Sequence, residues 1–208
     1  MRRWLQYGGF AAGIVLIAFG AVAIFMGVNG RSTVRDNLRQ EQIVGSADMT
    51  PAGIAAEAKA AGLKNVSLPT CSIAGKTVVS GADARCFASY MRIHALEAGG
   101  GLTYSQMPRF ATADGKGTNI PAKATKGTGG QPLDNPVRAV WVSETAFSTA
   151  LNVSYMADQL ALFGVVVGIA LLLSGIGFIV LAAYGLMRVA AVATQPGKAP
   201  VRTAAAPA

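Results

Sequence analysis

One histidine, two cysteines and two glycine-lysine turns are the residues in this chain whose types and spacing invite chemistry. His94 is the single histidine in 208 residues. On a helix predicted from Arg85 to Ala98 it lies on the apolar arc with Tyr90 and Phe87, and Glu97 is nearby. There it is either a pH-sensing or proton-carrying group or a hydrogen-bonded core histidine, and the second reading is preferred. Were the domain to bind a ligand, His94, Tyr90 and Trp141 would line the pocket. One histidine does not build a hydrolase triad together with a metal site. The hydroxyls from Ser143 to Ser154 have no general base placed beside them. Gly75-Lys76-Thr77 has the look of a phosphate loop's end, yet the first glycine of that motif would fall on Thr70. Gly115-Lys116-Gly117-Thr118 fails likewise, and both read as turns. Asn65-Val66-Ser67 and Asn152-Val153-Ser154 match the glycosylation acceptor pattern, which is short enough to arise by chance. No catalytic residue, metal set or cofactor is therefore expected.

The elements that would carry these residues are set by apolar runs. The chain is 52% hydrophobic and only 13% charged, a balance that suits a membrane protein. Gly8 to Val28 and Leu160 to Met187 contain no charge. Each is long enough as a helix to cross a hydrocarbon core of roughly 30 Å. The formal charge is +8, and its placement explains it without nucleic acid. Every acidic residue lies between Asp36 and Asp158, whereas Arg2, Arg3, Arg188, Lys198 and Arg202 make both ends purely basic. A basic patch interleaved with aromatics, as nucleic acid requires, is absent. Basic flanks stay on the cytoplasmic side. The chain thus divides into a cytoplasmic N-terminus (1–7), a first span (8–28), an extracytoplasmic domain (29–159), a second span (160–187) and a disordered cytoplasmic tail (188–208) at the plasma membrane. Arg31, Arg35 and Arg39, just outside the first span, work against this orientation. A cleaved signal peptide is the rival for the first span, because Ala21-Val22-Ala23 resembles a cleavage site, but Ile24-Phe25-Met26 continues the apolar run beyond it.

Small residues recur along both spans. Gly13, Gly20 and Gly27 repeat every seven positions, and Gly164, Gly168 and Gly175 line the second span. Glycine lets helix backbones approach closely in lipid, so these positions predict packing of the spans on each other or self-association.

Between the spans, Thr50-Pro51 reads as a cap with proline at the first helical position, and Gly62 as a stop. The chain is expected to leave the first span as a helix to about Gln42. Thr77-Val78-Val79 reads as a short strand, and a second helix as starting after Asp83 and ending at Gly99-Gly100-Gly101. Residues 111–131 form a polar loop. Asn135-Pro136 then opens one long helix that continues into the second span, with Val140, Phe147, Leu151 and Trp141 on its packed side and Ser143, Thr145 and Asn152 outward. Cys71 and Cys86 both fall in the oxidising compartment, and two cysteines allow one pairing. A disulfide between them would close a loop worth about 3 kcal/mol in the chain-entropy model.

Three stretches carry a resemblance: Gln42-Ile43-Val44-Gly45 with Asp48-Met49-Thr50-Pro51, then Tyr90 through Glu97, and Asn135-Pro136-Val137-Arg138 through Ala146. They resemble an actinobacterial family of small two-span membrane proteins of no established function, over most of the chain. Members often bear the label "aromatic ring-opening dioxygenase". Iron oxygenation of the facial-triad type needs two histidines and a carboxylate, so one protomer of this chain cannot form that triad. The resemblance implies the topology and no activity.

The sequence therefore predicts a mainly α membrane protein, a two-helix transmembrane hairpin with a small helical extracytoplasmic domain. Its expected role is that of a non-enzymatic interaction or accessory subunit of the cell envelope. The expected contacts are the lipid bilayer and a protein partner or second copy met through the glycine-lined spans. A small-ligand-binding or sensing module is the alternative, and an enzyme comes third.

Overall fold

A computed structural model describes the backbone of residues 2–193 and the side chains of residue 4 and residues 7–185. The N-terminal arginines, Arg188, Lys198, Arg202 and the tail beyond 193, all used above to orient the chain, lie outside the described side chains. The protein is mainly helical, with α1 at Arg2–Gln40, α2 at Pro51–Ala60, α3 at Gly81–Ala98 and α4 at Pro136–Ala193. Among the described residues there is no strand, only isolated bridges and a short 3-10 turn at Pro121–Lys123. Residues 188–193, expected in the tail, continue α4, since no helix breaker precedes Pro196-Gly197.

Two compact units result, one of Met1–Met26 with Gly164–Ala208 and one of Gly27–Phe163. In the first, α1 and α4 run antiparallel with glycine opposite glycine. A methyl group placed on Gly20 would come 2.7 Å from the Gly168 carbonyl oxygen and 2.9 Å from the Leu172 nitrogen. One placed on Gly175 would come 2.7 Å from the Gly13 carbonyl oxygen and 3.0 Å from the Ile17 nitrogen. Only glycine fits that approach at either level. Both helices are long and apolar enough to cross a membrane, with mean hydropathy of 2.5 and 2.8 over their most apolar stretches. The large apolar side chains there point outward, Phe25 being 71% and Leu181 70% exposed. A core helix of a soluble protein would bury them.

The second unit is built on the remaining lengths of α1 and α4. Its main core joins Leu38 of α1, Ile54 and Ala58 of α2, Phe87, Tyr90 and Ile93 of α3 and Leu151 of α4, with Met49, Ile73 and Val78 from the connecting loops. A smaller cluster holds Ala95, Met107 and Trp141. Helix α2 starts where Thr50 accepts a hydrogen bond from the Gly53 amide (3.0 Å). Helix α3 starts earlier than the sequence indicated, at Gly81. Ser80 accepts from the Asp83 amide and donates to the Asp83 carboxylate (2.6 Å), which places Asp83 inside the first turn. Gly81 also brings α3 against α4, since a methyl there would lie 2.7 Å from the Asp158 side chain and 2.9 Å from the Tyr155 α-carbon. Arg31 donates from Nε to Asp158 (3.0 Å), tying α1 to α4 beside this contact.

Three local expectations change. Helix α1 ends at Gln40 rather than Gln42, because Gln42 takes a positive φ of 52°. Thr77 makes only an isolated bridge with Val44, followed by the Val78 amide donating to Ile43 (2.9 Å). On α4, Trp141 and Leu151 are buried as expected, but Val140 is 48% exposed. Buried Glu144 takes a place on the packed side between them.

Candidate functional site

The chemistry-bearing side chains gather along α3. Cys86 and Tyr90 stand one helical turn apart, and both hold Cys71. Cys71 and Cys86 are bonded to each other with sulfurs 2.04 Å apart. The Tyr90 hydroxyl, on a side chain with no exposed surface, donates to the Cys71 carbonyl (2.6 Å). Burial raises the Tyr90 pKa, with the Asp48 carboxylate adding to the effect.

One turn further on, His94 is half-buried and is not a core histidine. Its Nε2 lies 3.1 Å from Asp48 Oδ2, while Nδ1 lies 3.7 Å from Glu57 and 3.8 Å from Glu97. Carboxylates therefore face both ring nitrogens. The reason is geometric: α2 packs on α3 through Ile54 and Ala58, and this brings Glu57 of the same helix face to the imidazole. Asp48 arrives on the turn before α2. That turn is fixed by the Met49 carbonyl, which accepts from the Ile73 and Ala74 amides (3.1 and 3.2 Å). Gly53 lets the Asp48 carbonyl tuck beneath α2, for a methyl there would sit 2.4 Å from that oxygen. The Ser46 hydroxyl lowers the Asp48 pKa, partly offset by desolvation, and His94 lowers it further. Glu57 Oε2 is sealed from solvent and has no hydrogen-bond partner.

His94 also borders an open apolar groove between α3 and α4 of about 690 Å³, with Met91, Ala95, Ala98, Val140 and Phe147. Of the three residues expected to line a pocket, only His94 does so. Tyr90 is turned into the core, and Trp141 lies beneath the Arg92 guanidinium (4.1 Å). Arg92 also lies 3.8 Å from Glu144, which is almost wholly buried and accepts from Ser148 (2.7 Å). Replacing Arg92 with methionine should leave Glu144 charged, buried and served by hydroxyls alone. We expect a loss of about 2 kcal/mol, less than for a fully buried pair because Arg92 is half-exposed. Glu144→Gln should cost less, and urea unfolding of the two variants checks the order.

The remaining sequence candidates fall elsewhere. Gly13, Gly20, Gly27, Gly168 and Gly175 are buried and Gly164 is half-buried. Gly75, Gly115 and Gly117 take positive φ in turns, and no phosphate cradle forms there. Asn152 lies within α4, its amide donating to the Ser148 carbonyl (2.8 Å). Asp48, Glu57, Arg92 and Glu144 were not singled out from sequence. Only Glu97, three residues from His94 on one helix, could be anticipated, since the others reach the site by tertiary packing. No protein-family model, characterised protein or solved structure matches the chain.

Proposed function

We propose that this chain is a two-span protein of the plasma membrane whose extracytoplasmic domain binds a small ligand through the groove bordered by His94. In this reading both termini are cytoplasmic and residues 29–159 lie outside, as the basic flanks favour. The observation that carries it is an apolar groove whose polar lining is His94, Ser143 and Glu144, with His94 itself held among Asp48, Glu57 and Glu97 just behind the groove. Apolar walls with a few convergent polar groups are the usual form of a ligand site. The acidic surplus favours a ligand with an apolar body and a cationic end. The accessory-subunit reading leaned on glycines that would face a partner. Gly13, Gly20, Gly168 and Gly175 instead face one another across α1 and α4, and this moves the weight to the groove. No step of catalysis is assigned, since His94 faces carboxylates on both sides and no hydroxyl or thiol nucleophile. Membership of the two-span family of unknown function rests on the three stretches quoted above.

Phenethylamine is a suitable probe, tested by saturation-transfer NMR on the full chain in nanodiscs. Transfer to the aromatic ring should appear and should fall at least about tenfold in Ala98→Trp, which fills the groove. Absence of transfer, or equal transfer in the filled variant, would overturn the proposal.

A further inference from the structure

We propose that Asp48, Glu57 and His94 bind a divalent first-row transition-metal ion, with zinc the best match to the donor set. One ligand atom from each residue lies within 4.8 Å of the other two. In a tetrahedral zinc site, bonds of about 2.0–2.2 Å place neighbouring ligand atoms roughly 3.3 Å apart. The Asp48–His94 pair, at 3.1 Å, is already at that spacing. Glu57, whose carboxylate lies within 4.8 Å of the other two, has to close at most about 1.5 Å to reach that spacing, within reach of its side-chain torsions.

Four independent features favour an ion over a group of ordinary surface acids. The three residues come from three separate segments: the 46–49 turn, α2 and α3. Each is anchored by buried neighbours, Met49, Ile54 and Ile93 respectively. Glu57 Oε2 is sealed from solvent without a hydrogen bond, its ion-pair partner His94 Nδ1 standing off at 3.7 Å, an arrangement that a bound cation would complete. With the ion on Nε2 beside Asp48, the other ring nitrogen, Nδ1, keeps a carboxylate partner in Glu97. That second partner is the usual device for orienting a metal-bound histidine.

The donor set selects the metal class. One nitrogen with two carboxylates is too soft for magnesium and lacks the thiolates of a structural zinc finger. Three protein ligands at a half-exposed site leave a coordination position for water or for a ligand's own donor atom. The set contains one histidine, so it is not the two-histidine iron triad. The ion would bind whether or not the adjoining groove takes a ligand.

The test uses the full chain in detergent, freed of any polyhistidine tag, stripped with EDTA and titrated with zinc chloride. Calorimetry should show one ion per chain. The single imidazole gives an unambiguous ¹⁵N signal, and one of its two nitrogen resonances should move on zinc addition. His94→Gln should abolish binding, Asp48→Asn and Glu57→Gln should each weaken it at least about tenfold, and magnesium should not compete. An imidazole signal unmoved at millimolar zinc overturns the proposal without any variant. Binding that survives in His94→Gln overturns it as well, by placing the ion elsewhere. Absence of phenethylamine binding to the EDTA-stripped chain, with zinc binding intact, would reject the groove and leave the metal site standing.

Discussion

Leucine at Gly20 or Gly168 is expected to force α1 and α4 apart, while leucine at Gly177 leaves them paired. A methyl on Gly168 already meets the Gly20 carbonyl at 2.7 Å and the Ile24 nitrogen at 2.9 Å. Both obstacles are backbone atoms, which no rotamer change can move. Gly177 has nothing within 4 Å of the same construction. In the membrane setting proposed above, hydrocarbon supplies no hydrophobic force between two apolar helices, so close backbone packing is what their pairing would depend on. Overpacking by a methyl costs about 1–3 kcal/mol, and leucine against backbone should exceed that range. Gly9 and Ala182 supply the reporter, since a β-carbon on Gly9 would lie 3.2 Å from that of Ala182, near the spacing of a disulfide. In a Gly9→Cys, Ala182→Cys background the new thiols should oxidise to each other. Gly20→Leu or Gly168→Leu should leave them free to alkylation, and Gly177→Leu should not. Equal oxidation in all three would mean that the glycine seam does not hold the helices together.

That seam was visible in the sequence because its signal is periodic and local: glycine every seven residues on one helix and a matching set on the other. Helix starts were visible for a similar reason. Thr50-Pro51 and Asn135-Pro136 make their capping bonds within three residues, to the Gly53 and Val137 amides. Ser80 does not stand out in the sequence because Asp83 offers the same capping chemistry three positions later, and only the geometry shows which residue caps and which sits in the first turn. The site was harder to read. His94 on an apolar arc looks like a core residue if its own helix alone is considered. The arc is completed by α2 and by the turn before it, and these happen to present acids. Glu57 and Asp48 belong to other segments, with no spacing that announces a ligand set. Val140, expected on the packed side, is exposed and Glu144 is buried there for a related reason. The helical period fixes which residues share a stripe, and a neighbouring Arg92 decides that a glutamate on that stripe can be buried.

Removing the disulfide should destabilise the second unit by about 3 kcal/mol, the loop-closure value for a bond spanning 15 positions. Thiol labelling of the intact chain should find Cys71 and Cys86 unreactive until reductant is added. The local effect should depend on Tyr90, because its hydroxyl holds the Cys71 carbonyl from the same face of α3. Tyr90→Phe alone should cost about 1–2 kcal/mol, the carbonyl being left without its donor. In Cys71→Ala with Cys86→Ala the tyrosine still pins residue 71, and in Tyr90→Phe the disulfide does. With all three substitutions the segment has neither restraint, so local opening should exceed the sum of the separate effects. Hydrogen exchange at the Ile73 and Ala74 amides reads this directly. Those amides hold the Met49 carbonyl, and Met49 adjoins Asp48 at the His94 cluster. If their exchange rises only additively, Tyr90 and the disulfide act as independent braces. If it rises more steeply, residue 71 is a shared latch through which α3 holds the Asp48 turn in place beside His94.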